Sequence, residues 1–468
     1  MAYPTDLLQI LRLARVISGA ELLLRLQKSR PTLSRATMMR MVRELGEQVV
    51  VRGAARRTSY AARRPLRGDG EGIPLYRIDR KGRGEQVAML DPIYPAGCAL
   101  RYEQPFEWPL APEMRDGWFP GLPYPLGDMR PQGFLGRNFA RNYAELLQVR
   151  PDPQKWQEDD TLHVLSTLGA DAAGNYILGE AAYRRHLETM QRGHALIASA
   201  EIEQAYTRQA AIAMEAGIAE GLATASAGGE FPKFTAFREH DGERAHVIVK
   251  FSGNDNTPGT QRWSDLLVCE HLALETIANH LALPAARSRI LRHDQRTLLE
   301  VERFDRHGDF GRWAVCSWAA LDAALFGMAG ESWNKAAARM LADRYIDAAT
   351  HTGINRLWHF GRLIANSDMH EGNLSFVPGA QGKPPLALAP AYDMLPMLYA
   401  PVRGVELPPR AFAPALPLPA ERDDWLAAVA AAIEFWSLAA ADGRISSGFR
   451  AACRVNGREL RRLRELAA

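Results

Sequence analysis

Four cysteines in 468 residues, Cys98, Cys269, Cys316 and Cys453, lie far apart and form no Cys-x-x-Cys pair. Their scarcity argues against a disulfide framework, and their spacing fits no zinc site. Cys269, beside Leu266, Leu267 and Val268, reads as an ordinary core residue. No unbroken apolar run reaches the ~18 residues needed to cross a bilayer. Arg12 and Arg15 interrupt the early stretch 7–17, so it is not a secretory core segment. Internal repeats and a Walker A sequence are also missing, and the formal net charge is only +3. Length and composition together predict a cytosolic protein of two to four domains.

The small net charge conceals an asymmetry. Residues 1–67 carry 14 Arg and Lys against 4 Asp and Glu, whereas the remainder carries 43 against 50. A basic head on an acidic body points to a polyanionic partner for the head. Helical patterns are expected over 7–14, 20–26 and 32–45, the last opening Ser29-Arg30-Pro31-Thr32-Leu33-Ser34-Arg35, where proline and hydroxyl residues favour helix initiation. Two strand-like runs, 47–52 and 58–62, flank Gly53-Ala54-Ala55-Arg56-Arg57. Three helices and a basic hairpin resemble a winged helix-turn-helix that binds double-stranded DNA. In that reading Ser29, Thr32, Ser34, Arg35 and Thr37 face the major groove, and Arg56, Arg57, Arg63 and Arg64 contact phosphates. The competing reading has this basic segment dock on the chain's own acidic body.

The densest chemistry lies in Ser367-Asp368-Met369-His370-Glu371-Gly372-Asn373, followed by Tyr392-Asp393. Such an Asp-Asn-Asp arrangement suits phosphoryl transfer: Asp368 orients or deprotonates a hydroxyl, while Asn373 and Asp393 offer oxygens to the magnesium ions that bridge ATP phosphates. Taken singly, each aspartate could equally cap a turn. Upstream, the β-branched run 245–251 delivers Lys250 to grip the α- and β-phosphates. Ser226-Ala227-Gly228-Gly229-Glu230-Phe231-Pro232-Lys233 pairs two glycines that let backbone approach phosphate oxygens, with Lys233 completing the ATP-binding set. A helical pattern over 263–283 holds Glu270, the expected ion-pair partner of Lys250, with Glu275 as its rival. Asp309-Phe310-Gly311 spells the metal-binding triplet of ordinary protein kinases but precedes Asp368. Lying between strand-like runs 297–304 and 313–318, it is expected to be a hairpin turn, with Gly308 and Gly311 supplying permissive backbone.

Gly-Gly-Glu-Phe-Pro-Lys, Val-Ile-Val-Lys, Val301-Glu302-Arg303-Phe304-Asp305-Arg306, Asn366 to Asn373 and Ala389-Pro390-Ala391-Tyr392-Asp393 follow the order seen in the HipA-like serine/threonine kinases. The chain resembles that toxin family over roughly residues 155–400, and in particular its longer YjjJ-type branch with an extra N-terminal segment. The resemblance implies a two-lobed kinase fold, ATP with magnesium, inhibitory phosphorylation of a translation-related protein and a possible antitoxin partner. It also implies that Ser226 is autophosphorylated to switch the kinase off. Two departures bear on the protein substrate: Glu371-Gly372 stands where relatives commonly place basic residues, and Glu230-Phe231-Pro232 precedes Lys233.

The expected architecture is α/β (α+β): a winged helix-turn-helix over 1–67, a β-rich subdomain over 73–155, a kinase N-lobe over 156–310 and a helical C-lobe over 311–468. The expected function is a cytoplasmic Ser/Thr protein kinase, nucleoid-associated when its head holds DNA. Two other readings share these residues: a transcriptional regulator whose kinase-like body senses nucleotide without transferring phosphate, and a small-molecule phosphotransferase.

Overall fold

A computed structural model describes residues 3–68, 70–218, 232–379, 385–402 and 407–467. The chain forms two compact units. One comprises Met1–Pro131, Ala140–Arg192 and Ala380–Lys383, and the other Gln132–Phe139, Gly193–Gly379 and Pro384–Ala468.

The first unit opens with helices α1 (Tyr3–Ala14), α2 (Gly19–Ser29) and α3 (Arg35–Leu45). Their apolar residues recur at helical spacing, Leu7 and Leu11, Leu22 and Leu26, Met38, Met41, Val42 and Leu45, and all are buried in one cluster. Ser18 and Ser34 cap α2 and α3, their side chains accepting from the Glu21 and Thr37 N–H groups at 3.2 Å. The third helix therefore starts at Arg35 rather than residue 32. Pro31 and Thr32 lie in the preceding turn, and Ser29 ends α2, donating to the Leu26 carbonyl at 3.1 Å. Strands β1 (Ile17–Ser18), β2 (Val49–Arg52) and β3 (Ser59–Ala62) pair antiparallel in the order β1-β3-β2, which completes a winged helix.

A five-stranded antiparallel sheet follows: β4 (Ile73–Ile78), β5 (Gly84–Pro92), β6 (Cys98–Tyr102), β7 (Trp118–Phe119) and β8 (Tyr176–Leu178), ordered β7-β6-β5-β4-β8. Because β8 enters after the helix Glu158–Leu168, this unit runs past the boundary expected at 155/156. Three buried residues are too short a run to announce an edge strand.

The wing docks on this sheet. Val50 and Ala61 share an apolar cluster with Ile93, Ala99 and Trp118. Around it Arg63 meets Asp91 at 3.0 Å, Arg52 also reaches Asp91, Arg64 binds Glu158 at 2.5 Å and Asp159, and Arg67 binds Asp160 at 2.7 Å. This corrects the assignment of Arg63 and Arg64 to DNA phosphates: their side chains, 18% and 12% exposed, are committed to carboxylates of the same unit. Arg56 and Arg57 stay exposed at the wing turn.

The second unit is built on β9 (Leu196–Ile197), β10 (Lys233–His240), β11 (Glu243–Phe251), β12 (Ser288–His293) and β13 (Arg296–Glu302), in the order β12-β13-β11-β10-β9. Buried Glu300 ties the sheet together. It accepts from Arg238 Nε at 2.9 Å, from Arg289 Nε and Nη2 at 2.9 and 2.7 Å, and from the Tyr206 hydroxyl at 2.7 Å. The helix Pro258–Thr276 packs on β12 and β13. β14 (Arg306–His307) and β15 (Gly311–Arg312) form a hairpin whose turn carries Asp309 and Phe310. Gly308 there has φ 57, but Gly311 does not adopt positive φ. A small sheet, β16 (Cys316–Ser317), β17 (Ser375–Val377) and β18 (Ala387–Leu388), leads into helices Ala348–Leu363, Arg422–Ala441 and Ser447–Ala467. The segment Pro419–Ala441 is long and apolar enough to cross a membrane by composition. Here it serves as a core helix, burying Trp425, Val429, Phe435 and Trp436.

Candidate active site

Strand β11 buries its own Val247, Val249 and Phe251 in the core on one face, and its alternation leaves buried Lys250 on the other, opposite its antiparallel partner Lys233. The Lys250 ammonium donates to both Glu270 oxygens, at 2.6 and 2.8 Å, and to Asp393 Oδ1. Of the two glutamates considered, Glu270 is fully buried on the inner face of its helix, whereas Glu275 is exposed and sits 3.6 Å from His271. Burial alone would strip the proton from Lys250, but Asp393 and Glu270 outweigh it and raise the pKa. Burial likewise opposes ionisation of Asp393. The neighbouring charges of Lys250 and Lys233 prevail and hold its carboxyl down at about 2. Lys250 is therefore a cation and Asp393 an anion across the neutral range.

Asp393 has φ 53, a left-handed backbone that a non-glycine residue adopts only where its surroundings enforce it. Asn366 is one such restraint. Its Nδ2 donates to the Asp393 carbonyl at 3.3 Å while its Oδ1 accepts from the Asp368 N–H at 3.0 Å. On the far side of the loop, Asn373 Nδ2 donates to the Asp368 carbonyl at 2.9 Å. The Asp368 backbone is thus fixed from both directions, while its exposed carboxylate has no hydrogen-bond partner among the described residues. Tyr392 closes the loop's exit, its hydroxyl donating to the Gly372 carbonyl at 2.5 Å and lying 2.8 Å from Ser375 Oγ.

The Glu-Arg-Phe-Asp-Arg run supports this arrangement from below. Phe304 packs against the Tyr392 ring at 5.6 Å between centroids, and Asp305 accepts from Arg303 at 3.0 and 3.1 Å and from Arg306 at 2.5 Å. The Asp309-Phe310 turn sits elsewhere. Asp309 pairs with Arg244 at 3.2 Å, its carbonyl lies 2.8 Å from His246 Nε2, and Phe310 stacks on His194.

The structure therefore brings Lys250, Glu270, Asp393, Asn373 and Asp368 into one constellation, with Lys233 next to Lys250 on β10. Gly228, Gly229 and Ser226 lie outside the described residues. Sequence reasoning gave no role to Asn366 or Tyr392. Asn366 offered one signal, an amide directly after the apolar Leu363, Ile364 and Ala365. As magnesium ligands, Asn373 Oδ1 and the Asp393 carboxylate fit a hard cation that takes one or two protein oxygens and fills its shell with phosphate and water. Among the described residues no group of three or more His, Cys, Asp or Glu forms a self-sufficient metal cage.

Known proteins resemble this chain in sequence and in fold. Residues 69–187 match the YjjJ-like toxin middle domain, and residues 225–451 match the HipA-like C-terminal domain. Among solved structures, a chain of the Shewanella oneidensis MR-1 toxin–antitoxin complex of HipA, HipB and operator DNA superposes with TM-score 0.51. It has 15% identity and covers 84% of this chain and 96% of its own, a likeness of fold. The Toxin YjjJ of Escherichia coli (strain K12) is 36% identical over 94% of this chain and 95% of its own length. With that much of both sequences aligned, this α/β chain belongs to the YjjJ-type family of HipA-like toxins.

Proposed function

We propose that the chain is an ATP- and magnesium-dependent serine/threonine protein kinase. The observation that carries this reading is the Lys250 ammonium held between Glu270 and Asp393, with Asn366 coupling the Asp393 backbone to that of Asp368. A lysine so placed is a fixed cation for the α- and β-phosphates, and bound magnesium would neutralise charge on the transferring group. Asn373 and Asp393 would hold that metal. The exposed Asp368 carboxylate accepts the acceptor hydroxyl's hydrogen bond and points its oxygen at the γ-phosphate. Positioning and preset electrostatics supply the rate. An exposed Asp368 favours a protein hydroxyl over a small molecule enclosed in a pocket. Ser226 is the proposed autophosphorylation site, and a translation-related protein the proposed target.

The head is proposed to bind duplex DNA through α3. Ser34, Arg35 and Thr37 lie at its N-terminal end, and exposed Arg56 is placed to meet phosphates from the wing together with exposed Arg57, which also pairs with Asp116 at 3.4 Å. Docking of the rest of the wing limits the footprint. A separate antitoxin remains a proposed partner, and the cytoplasm the proposed location.

The test is phosphate transfer from labelled Mg-ATP by the purified protein, with phosphoproteomics of cells expressing wild type or Asp368→Ala. Wild type should label protein acceptors and Asp368→Ala none. Equal labelling by both would place the chemistry elsewhere.

A further inference from the structure

The C-terminal helix Ser447–Ala467 carries six arginines, Arg450, Arg454, Arg458, Arg461, Arg462 and Arg464, against two glutamates, and no lysine. Its apolar side, Phe449, Cys453, Leu460 and Leu463 with Asn456 and Gly457, is buried. At 100° per residue, Arg450, Arg454, Arg458 and Arg461 fall within one arc of about 80°, half-buried Arg450 at its edge next to the buried side and the other three turned away from it, with Arg450, Arg454 and Arg458 at steps of about 6 Å along the axis. Arg454, Arg458 and Arg461 are exposed. The other charges on this helix do not cancel the stripe. Glu459 lies off it, accepting from Arg462 at 2.6 and 3.0 Å, and only Glu465 shares the arc, at the far end. Arg461 gives one N–H to Ser437 Oγ at 3.0 Å. Arg454 and Arg458 have no carboxylate partner among the described residues. Buried Arg450 Nε has no hydrogen-bond partner there either.

We propose that this stripe binds the phosphate backbone of a nucleic-acid duplex, a second nucleic-acid surface made of residues other than those of the winged head. The choice of arginine suits phosphate, which its planar fork meets in bidentate fashion. The spacing suits it too: a duplex presents one charge per about 1.7 Å of axis, so each guanidinium can reach its own phosphate. An anionic membrane is the poorer fit. A helix lying in a bilayer surface buries an apolar face, and this helix has already committed its apolar face to the core.

Full-length protein should bind a mixed-sequence duplex of about 30 base pairs, DNA or RNA, in fluorescence anisotropy at low salt. Arg454→Gln with Arg458→Gln, neither of them among the partners of Lys250 or Asp368, should leave the melting temperature unchanged. The double variant should lower the slope of log K against log salt by about 2 and weaken low-salt binding at least tenfold. Arg56→Ala with Arg57→Ala reports the head separately, so loss of head binding and loss of stripe binding are distinguishable. An unchanged slope and affinity in the helix variant for both duplexes would overturn the proposal. So would the same variant losing affinity only for anionic phospholipid vesicles or for an acidic polypeptide.

Discussion

Asp393 and Asp309 show how little a residue's identity means without its contacts. Both are aspartates near a rim of the same unit, and Asp309 alone stands in an Asp-Phe-Gly triplet, yet only Asp393 touches the buried lysine. Asp393→Ala should abolish γ-phosphate transfer, whereas Asp309→Ala should keep it within about twofold. The check is single-turnover labelling with both folds verified by circular dichroism, and equal losses would contradict the assignment. His246 yields a second prediction. Burial, joined by the nearby His194 ring and the cations Arg306 and Arg303, pushes its pKa down to about 4 against the pull of the Asp309 carbonyl. The fold thus keeps the ring neutral while an unfolded chain protonates it near its ordinary value. Stability from this site is present above pH ~6.5 and is lost as pH falls from there towards about 4, by up to roughly 3 kcal/mol. His246→Phe, which retains ring packing against Phe237, should flatten the fall in melting temperature between pH 7 and 4.5 relative to wild type.

Among the elements, the five-stranded sheet of the second unit depends on one carboxylate. Glu300 on β13 gathers Arg238 from β10 and Arg289 from β12, so Glu300→Gln would leave two guanidinium groups facing a neutral amide. Breaking a buried network in this way costs on the order of 3 kcal/mol. A melting temperature lower by roughly 6–12 °C is expected by calorimetry. No such role could be read from the sequence, because Glu300 lies in an apolar strand pattern and its three partners are 11, 62 and 94 residues away. What was legible followed local rules: Lys250 at the end of a β-branched run, Asp368 and Asn373 on one loop, and the hairpin at Asp309. What was not legible depended on distant partners. Asn366 bonds to residue 393, β8 joins strands a hundred residues earlier, and the start of α3 was decided by the Ser34 cap over Pro31. Arg63 and Arg64 belong to the same class. Their basic run invited a phosphate reading until Asp91, Glu158 and Asp159 were found beside them.

On the scale of the whole chain, the winged head is fastened to the sheet that follows it. Arg52 and Arg63 converge on Asp91, which is only 4% exposed. Asp91→Asn should therefore uncouple the wing, seen as faster proteolysis near residues 63–72 with no change in the proposed phosphate transfer, and unchanged proteolysis would show that the apolar cluster alone suffices. Truncation at residue 67 should yield a poorly soluble head, because Val50 and Ala61 would lose Ile93, Ala99 and Trp118. The same docking has a consequence in time. A ribosome releases the head first, but the carboxylates that receive Arg64 follow 94 and 95 residues later. At about 5–20 residues per second, the Arg64 guanidinium waits roughly 5–20 seconds for its carboxylates, and the wing's apolar face is covered earlier, once Trp118 has emerged. During that interval the nascent head is open to chaperones, to neighbouring nascent chains and to any duplex within reach, so slowing translation across residues 70–160 should raise aggregation without altering a single contact of the finished protein.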